Sequence, residues 1–161
     1  MRGTLSISGE LSDLARIAKR LESWLPKGVE TEVRPHGWGG WTVDSMAQLL
    51  ERVHPFQLLL LNYIAEADGV RPDADVRRNF TLGDSGLRGQ TGAISKHIVK
   101  MAKSGIVPAD ASYVLRVDRQ TSAARFVMPD ELVSIVQSAL ALPHIAKRVD
   151  DARGSENWTE K

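Results

Sequence analysis

LRGQTGAISKHIVKMAKSGIVP, from Leu87 to Pro108, is the stretch whose reading decides the fold. At helical period Ile94, Ile98 and Met101 fall four and three residues apart on one stripe, with Ile106 just past the end, and such a stripe buries against a core. Gln90, Thr91, Ser95, Lys96, Lys100 and Lys103 take the opposite side, and no carboxylate occurs between Gly86 and Ala109. Short hydroxyls and amides near a helix start, followed by ammonium groups, are the groups that base edges and phosphate oxygens of DNA accept. Ser104 and Gly105 supply a C-terminal stop.

The flanks of this helix extend the pattern. RPDADVRRNF, Arg71 to Phe80, predicts a short helix with Pro72 and Asp73 at its start and Val76 and Phe80 inward. TLGDSG, Thr81 to Gly86, is a turn by composition. On the other side, Ser112–Val117 and Ala123–Met128 alternate as strands around the polar loop Asp118–Ser122. That predicts a two-stranded hairpin with Arg119 at its tip and Arg116 and Arg125 on its strands. Short helix, turn, longer basic helix and hairpin is the order of a helix-turn-helix followed by a wing.

Further out, Thr42 is placed to cap a helix Val43–Val53 with Met46, Leu49, Leu50 and Val53 inward. Pro55 opens a second helix, apolar nearly all round, in which Phe56, Leu59, Leu60, Tyr63 and Ile64 form the centre of the core. HGWGGW, His36 to Trp41, reads as a connector pinned by its two indoles. Before it, Gly3–Ser8 and Val29–Val33 alternate as strands around an amphipathic helix Leu11–Leu25, whose buried face Ile17 and Trp24 widen. After the hairpin, Asp130–Leu142 is an amphipathic helix ending before Pro143. The expected organisation is an appendage at 1–40, a winged domain at 41–145 and a polar tail at 146–161. The fold class is α+β, mainly helical, with a two-stranded wing and an N-terminal strand-helix-strand appendage.

Charge is distributed unevenly. Residues 71–125 hold ten Lys or Arg against five Asp, while each flank is net negative by two, the footprint of a nucleic-acid reader. There are no cysteines, so disulfides and thiolate metal sites are excluded. His36, His54, His97 and His144 are isolated from one another, and no metal site, cofactor or catalytic constellation is expected. GDSG at Gly83–Gly86 lacks the partners a serine nucleophile needs, and no Lys-Ser or Lys-Thr pair follows GWGG as a phosphate loop requires. No apolar run reaches membrane-span length and MRGTLSISGE has no signal-peptide core, so a cytoplasmic location with no membrane partner is expected.

Residues 42–129, above all GAISKHIVKMAKSGIV from Gly92 to Val107 with the hairpin after it, resemble the winged helix-turn-helix of MarR-type bacterial transcription regulators. The termini depart from that family, which builds its dimer from long terminal helices. The resemblance implies a regulator of transcription that reads double-stranded DNA. Thr91, Ser95, Lys96 and Lys100 would face the major groove, with Arg88, Gln90 and Lys103 beside them and Arg116, Arg119 and Arg125 on the wing. A homodimer reading two half-sites is expected, with the strand-helix-strand of residues 3–33 or the helix Asp130–Leu142 as its interface, an edge strand such as Val29–Val33 pairing with its symmetry mate. A winged-helix module that binds protein rather than DNA is the alternative. No effector site can be assigned from the sequence.

Overall fold

A computed structural model of the chain describes residues 3–10, 16, 17, 20, 24, 29–82, 87, 89–120 and 122–155. The chain opens with β1 (Gly3–Glu10) and β2 (Val29–Trp38), paired in parallel from Gly3↔Val29 to Gly9↔Pro35. Parallel neighbours need a crossover, which residues 11–28 supply. The helix expected there lies mostly outside the described residues; Ile17 and Trp24, at the margin of its apolar stripe, are exposed rather than buried.

The chain then reverses into β3 (Trp41–Thr42), antiparallel to β2 with Trp38 opposite Trp41. Gly39 and Gly40 both have positive φ, 58° and 83°, as a two-residue type I′ hairpin turn demands. HGWGGW is therefore the end of one strand, a tight turn and the start of another, not an irregular connector. The glycines occupy the turn and leave both tryptophans free to pair. β2 lies between β1 and β3, but β3 reaches only Gly37 and Trp38, so among the described residues Val29–Val33 has a strand partner on the β1 side alone, and β1 is the other open edge of the sheet.

Four helices and a second sheet follow. In α1 (Val43–Arg52), Thr42 Oγ1 accepts from Ser45 N at 3.1 Å and Ser45 Oγ accepts from Thr42 N at 2.9 Å, a reciprocal cap. In α2 (Pro55–Ala65), Pro55 sits in the first turn and His54 Nδ1 accepts from Phe56 N at 3.3 Å. Leu58, Leu60, Leu61 and Ile64 of α2 are fully buried, which puts this helix at the centre of the core as its composition predicts. β4 (Val70–Pro72) leads directly into α3 (Asp73–Phe80), with Val76 and Phe80 buried. Then come α4 (Gln90–Lys103), β5 (Arg116–Asp118) and β6 (Arg125–Val127).

The second sheet is antiparallel in the order β4-β6-β5, with Val70 and Arg116 both opposite Val127 on its two sides. Two departures from the sequence reading follow. The hairpin is part of a three-stranded sheet, because β4 pairs with it, and its strands are three residues long rather than six. Val114 and Leu115 are both buried, so alternation fails there and the chain crosses the core before β5 begins.

The C-terminal part also differs. α5 (Asp130–Leu140) packs on α1 and against β2, and a separate α6 (Pro143–Gly154) packs on α2. The expected polar tail is thus helical to Gly154. Ile145, Val149 and Ala152, spaced by four and three, bury one narrow stripe, and Arg148 donates to the carbonyls of Leu50 and Val53 at the end of α1. Hydrogen bonds from a charged donor are worth about 1.5–3 kcal/mol each, enough to hold a helix with so thin an apolar face. Residues 156–161 lie outside the described residues. Among the described residues no helix is long and apolar enough to cross a membrane.

Candidate nucleic-acid interface

Helix α4 is held along one face and at both ends. Ile94 and Met101 are fully buried, and Ile98 and Ala102 are packed partly against the core. At its start Leu87 is buried and Gly89, at φ 76°, caps without a side chain. At its end Gly105, at φ 73°, closes a Schellman motif: Ile106 N donates to Met101 O and Gly105 N to Ala102 O, each at 3.0 Å. The chain leaving α4 is then clasped by the N-terminal hairpin. Ser112 N donates to Gly39 O at 2.8 Å, and the fully buried Trp41 donates from Nε1 to Ser112 O at 2.9 Å. A Cβ on Gly40 would stand 2.6 Å from Pro108 Cγ, so the turn fits against this segment only as glycine.

The outward face of α4 carries Gly92, Ser95, Lys96, Val99, Lys100 and Lys103, all exposed. Lys96, Lys100 and Lys103 form one stripe, and among the described residues none of them meets a carboxylate in an ion pair. Ser95 Oγ donates to Thr91 O at 2.9 Å, which leaves the hydroxyl oxygen as an acceptor toward solvent.

Other expected contacts fall elsewhere. Gln90 does not face outward: its Oε1 accepts from Gln57 Nε2 at 3.2 Å, and Gln57 is itself buried, so the amide joins α2 to α4. A long side chain at the margin of a helix can turn back to a buried donor, which position on a wheel does not reveal. Thr91 is half-buried, and Arg88 lies outside the described residues, as does the turn Gly83–Gly86.

On the hairpin the three arginines differ. Arg119 is exposed in the loop. Arg116 lies over the Tyr113 ring, 4.8 Å from its centroid. Arg125 donates from Nε and Nη2 to Asp118 Oδ2 at 3.1 and 3.0 Å, across the strand pair. The Gln120 N–H, 2.9 Å from Asp118 Oδ1, and then the Arg125 guanidinium hold the Asp118 carboxyl below its usual range. Arg125 is accordingly neutralised where it stands. On α3, Arg77 pairs with Asp73 at 2.6 Å and Arg78 with Asp75 at 3.3 Å.

His97, half-buried on the α1 side of α4, titrates below its ordinary value, first because burial penalises the charged ring and then because Lys100 and Arg52 repel it. A protonated imidazole aiding phosphate contact just below pH 6.5, the expectation for an ordinary histidine, is not what this site favours.

Sequence reasoning missed one feature of this face. Val99 is 54% exposed in the middle of the basic stripe, and with Tyr113, Ile98, Ala102, Pro108 and Lys103 it lines a groove of about 520 Å³. Its signal was present: Val99 lies outside the spacing of Ile94, Ile98 and Met101, so it had to face outward.

Among the described residues no group of three or more His, Asp or Glu side chains is placed to hold a metal ion. Comparison of the chain with protein-family models, with curated proteins and with solved structures found no match.

Proposed function

We propose that the chain is a DNA-binding regulator of transcription in which residues 55–127 act as a winged helix-turn-helix. The observation that carries this reading is the stripe Lys96, Lys100 and Lys103, three ammonium groups without carboxylate partners among the described residues, on a helix anchored at both ends. Support for the fold comes from the order helix, strand, helix, helix, strand, strand and from the β4-β6-β5 sheet. In this reading α4 lies in the major groove. Ser95 reaches base edges near the helix start, Val99 meets a thymine methyl, and the lysines take phosphates. Arg119 and Arg116 extend the contact from the hairpin to backbone or minor groove.

Titration of a labelled mixed-sequence duplex at several salt concentrations tests this. Each phosphate neutralised contributes about −0.9 to the slope of log affinity against log salt, so three or more contacts predict a slope of about −3 or steeper. No binding at low salt, or a flat slope, would overturn it. The second reading, a winged-helix module for a protein partner, is favoured by the exposed Val99 and Tyr113 beside the groove, which a purely phosphate-binding face does not need.

A further inference from the structure

We infer that β1 is a self-pairing edge, through which two copies of this chain join their N-terminal sheets antiparallel about Ser6. Among the described residues β1 hydrogen-bonds on one side only, to β2, so the main-chain N–H and C=O groups of alternate residues, which point to its other side, have no strand partner. Proteins usually blunt such an edge with lysine, proline or a bulge. From Gly3 to Gly9 this strand has no charge and no proline, and its register with β2 is regular until the shift between Gly9 and Glu10.

The choice of a second copy as occupant comes from the sequence of the edge itself. Gly3-Thr-Leu-Ser-Ile-Ser-Gly9 has nearly the same chemistry read from either end about Ser6: Gly3 answers Gly9, Thr4 answers Ser8, and Leu5 answers Ile7. An antiparallel pair centred on Ser6 sets each of these opposite its counterpart, and residues directly opposite share a face of the sheet. A twofold axis requires this of an interface, because the same patch meets itself. A strand meant for a foreign partner has no need to match its own reverse.

The register can be read by cross-linking, because the chain has no cysteine of its own. In Ser6→Cys the thiol meets its own copy across the axis, within disulfide reach. In Thr4→Cys it faces the partner's Ser8, and its own copy is four residues along, about 13 Å away. Oxidation of the full-length variants at micromolar concentration should give a covalent dimer for Ser6→Cys and almost none for Thr4→Cys. Mixing Thr4→Cys with Ser8→Cys should restore the cross-link.

A second test uses charge and leaves the strand centre alone. Thr4→Glu with Ser8→Glu sets like charges opposite twice per dimer and should weaken self-association about tenfold by sedimentation, whereas an equimolar mixture with the Thr4→Lys, Ser8→Lys double variant regains it as a heterodimer. Equal cross-linking of Ser6→Cys and Thr4→Cys would overturn the register. A monomeric unmodified chain at tens of micromolar would overturn the pairing.

Discussion

Helices α3 and α4 hold similar densities of positive charge and present it in opposite ways. On α3 both arginines are matched within their own helix, Arg77 with Asp73 four residues earlier and Arg78 with Asp75 three earlier. On α4 three lysines line one face, and the helix contains no acid at all. Exposed ion pairs contribute little to stability, but each cancels a charge that phosphate would otherwise meet. A local excess of basic residues therefore overstates the charge available. What distinguishes a surface suited to DNA is which carboxylates are paired with its cations, and here Asp73 and Asp75 are paired on α3 and Asp118 with Arg125, while among the described residues none is ion-paired with the lysines of α4.

The comparison breaks first under charge removal. Replacing Lys96, Lys100 and Lys103 together by alanine should lower duplex affinity about a hundredfold and flatten the salt slope by about three, at about 1 kcal/mol per phosphate contact. Arg77→Ala with Arg78→Ala should change affinity less than about threefold. Anisotropy titrations of both variants, with circular dichroism to check folding, decide it; an arginine pair as costly as the lysine triplet would make α3 the contacting helix.

A smaller effect, of opposite sign, is expected at the hairpin. Asp118→Asn keeps an acceptor for the Gln120 N–H but releases Arg125 from its ion pair. Affinity should rise about threefold and the salt slope steepen by up to about one if the hairpin lies near phosphate. Unchanged affinity would place the hairpin away from the duplex and leave α4 as the whole contact.

The four central helices were legible because each carries its own signals. Thr42 caps one, Pro55 opens the next, and Val76 with Phe80, or Ile94 with Met101, mark buried faces by spacing alone. What was not legible depended on partners distant in the chain. β4 is three residues with no pattern of its own, and it is a strand because β6 lies beside it. In α6 the stripe Ile145, Val149 and Ala152 is hidden among charges, and its docking rests on Arg148 reaching carbonyls about a hundred positions earlier. The same holds at the candidate site. Lys96, Lys100 and Lys103 were readable from spacing, whereas the loss of Gln90 to Gln57 and of Arg125 to Asp118 required tertiary contact and strand register.

The smallest effect tests whether lysines alone charge the α4 face. Burial, then Lys100 and Arg52, push the His97 imidazole below its ordinary value, so it is neutral at pH 7. With its folded pKa below the unfolded one, the native state binds fewer protons. The stability it contributes is present above about pH 6.5 and is lost as pH falls from there through the lowered folded value. Urea midpoints measured from pH 7.5 to pH 5 should therefore decline more for the unmodified chain than for His97→Gln. Duplex affinity should stay flat from pH 8 to about 6.5, because no charge on α4 changes in that interval. A rise in affinity already between pH 8 and pH 7, abolished in His97→Gln, would mean that bound phosphate overcomes both the burial and the two repelling cations. The contrast with α3 would then rest on four cations rather than three.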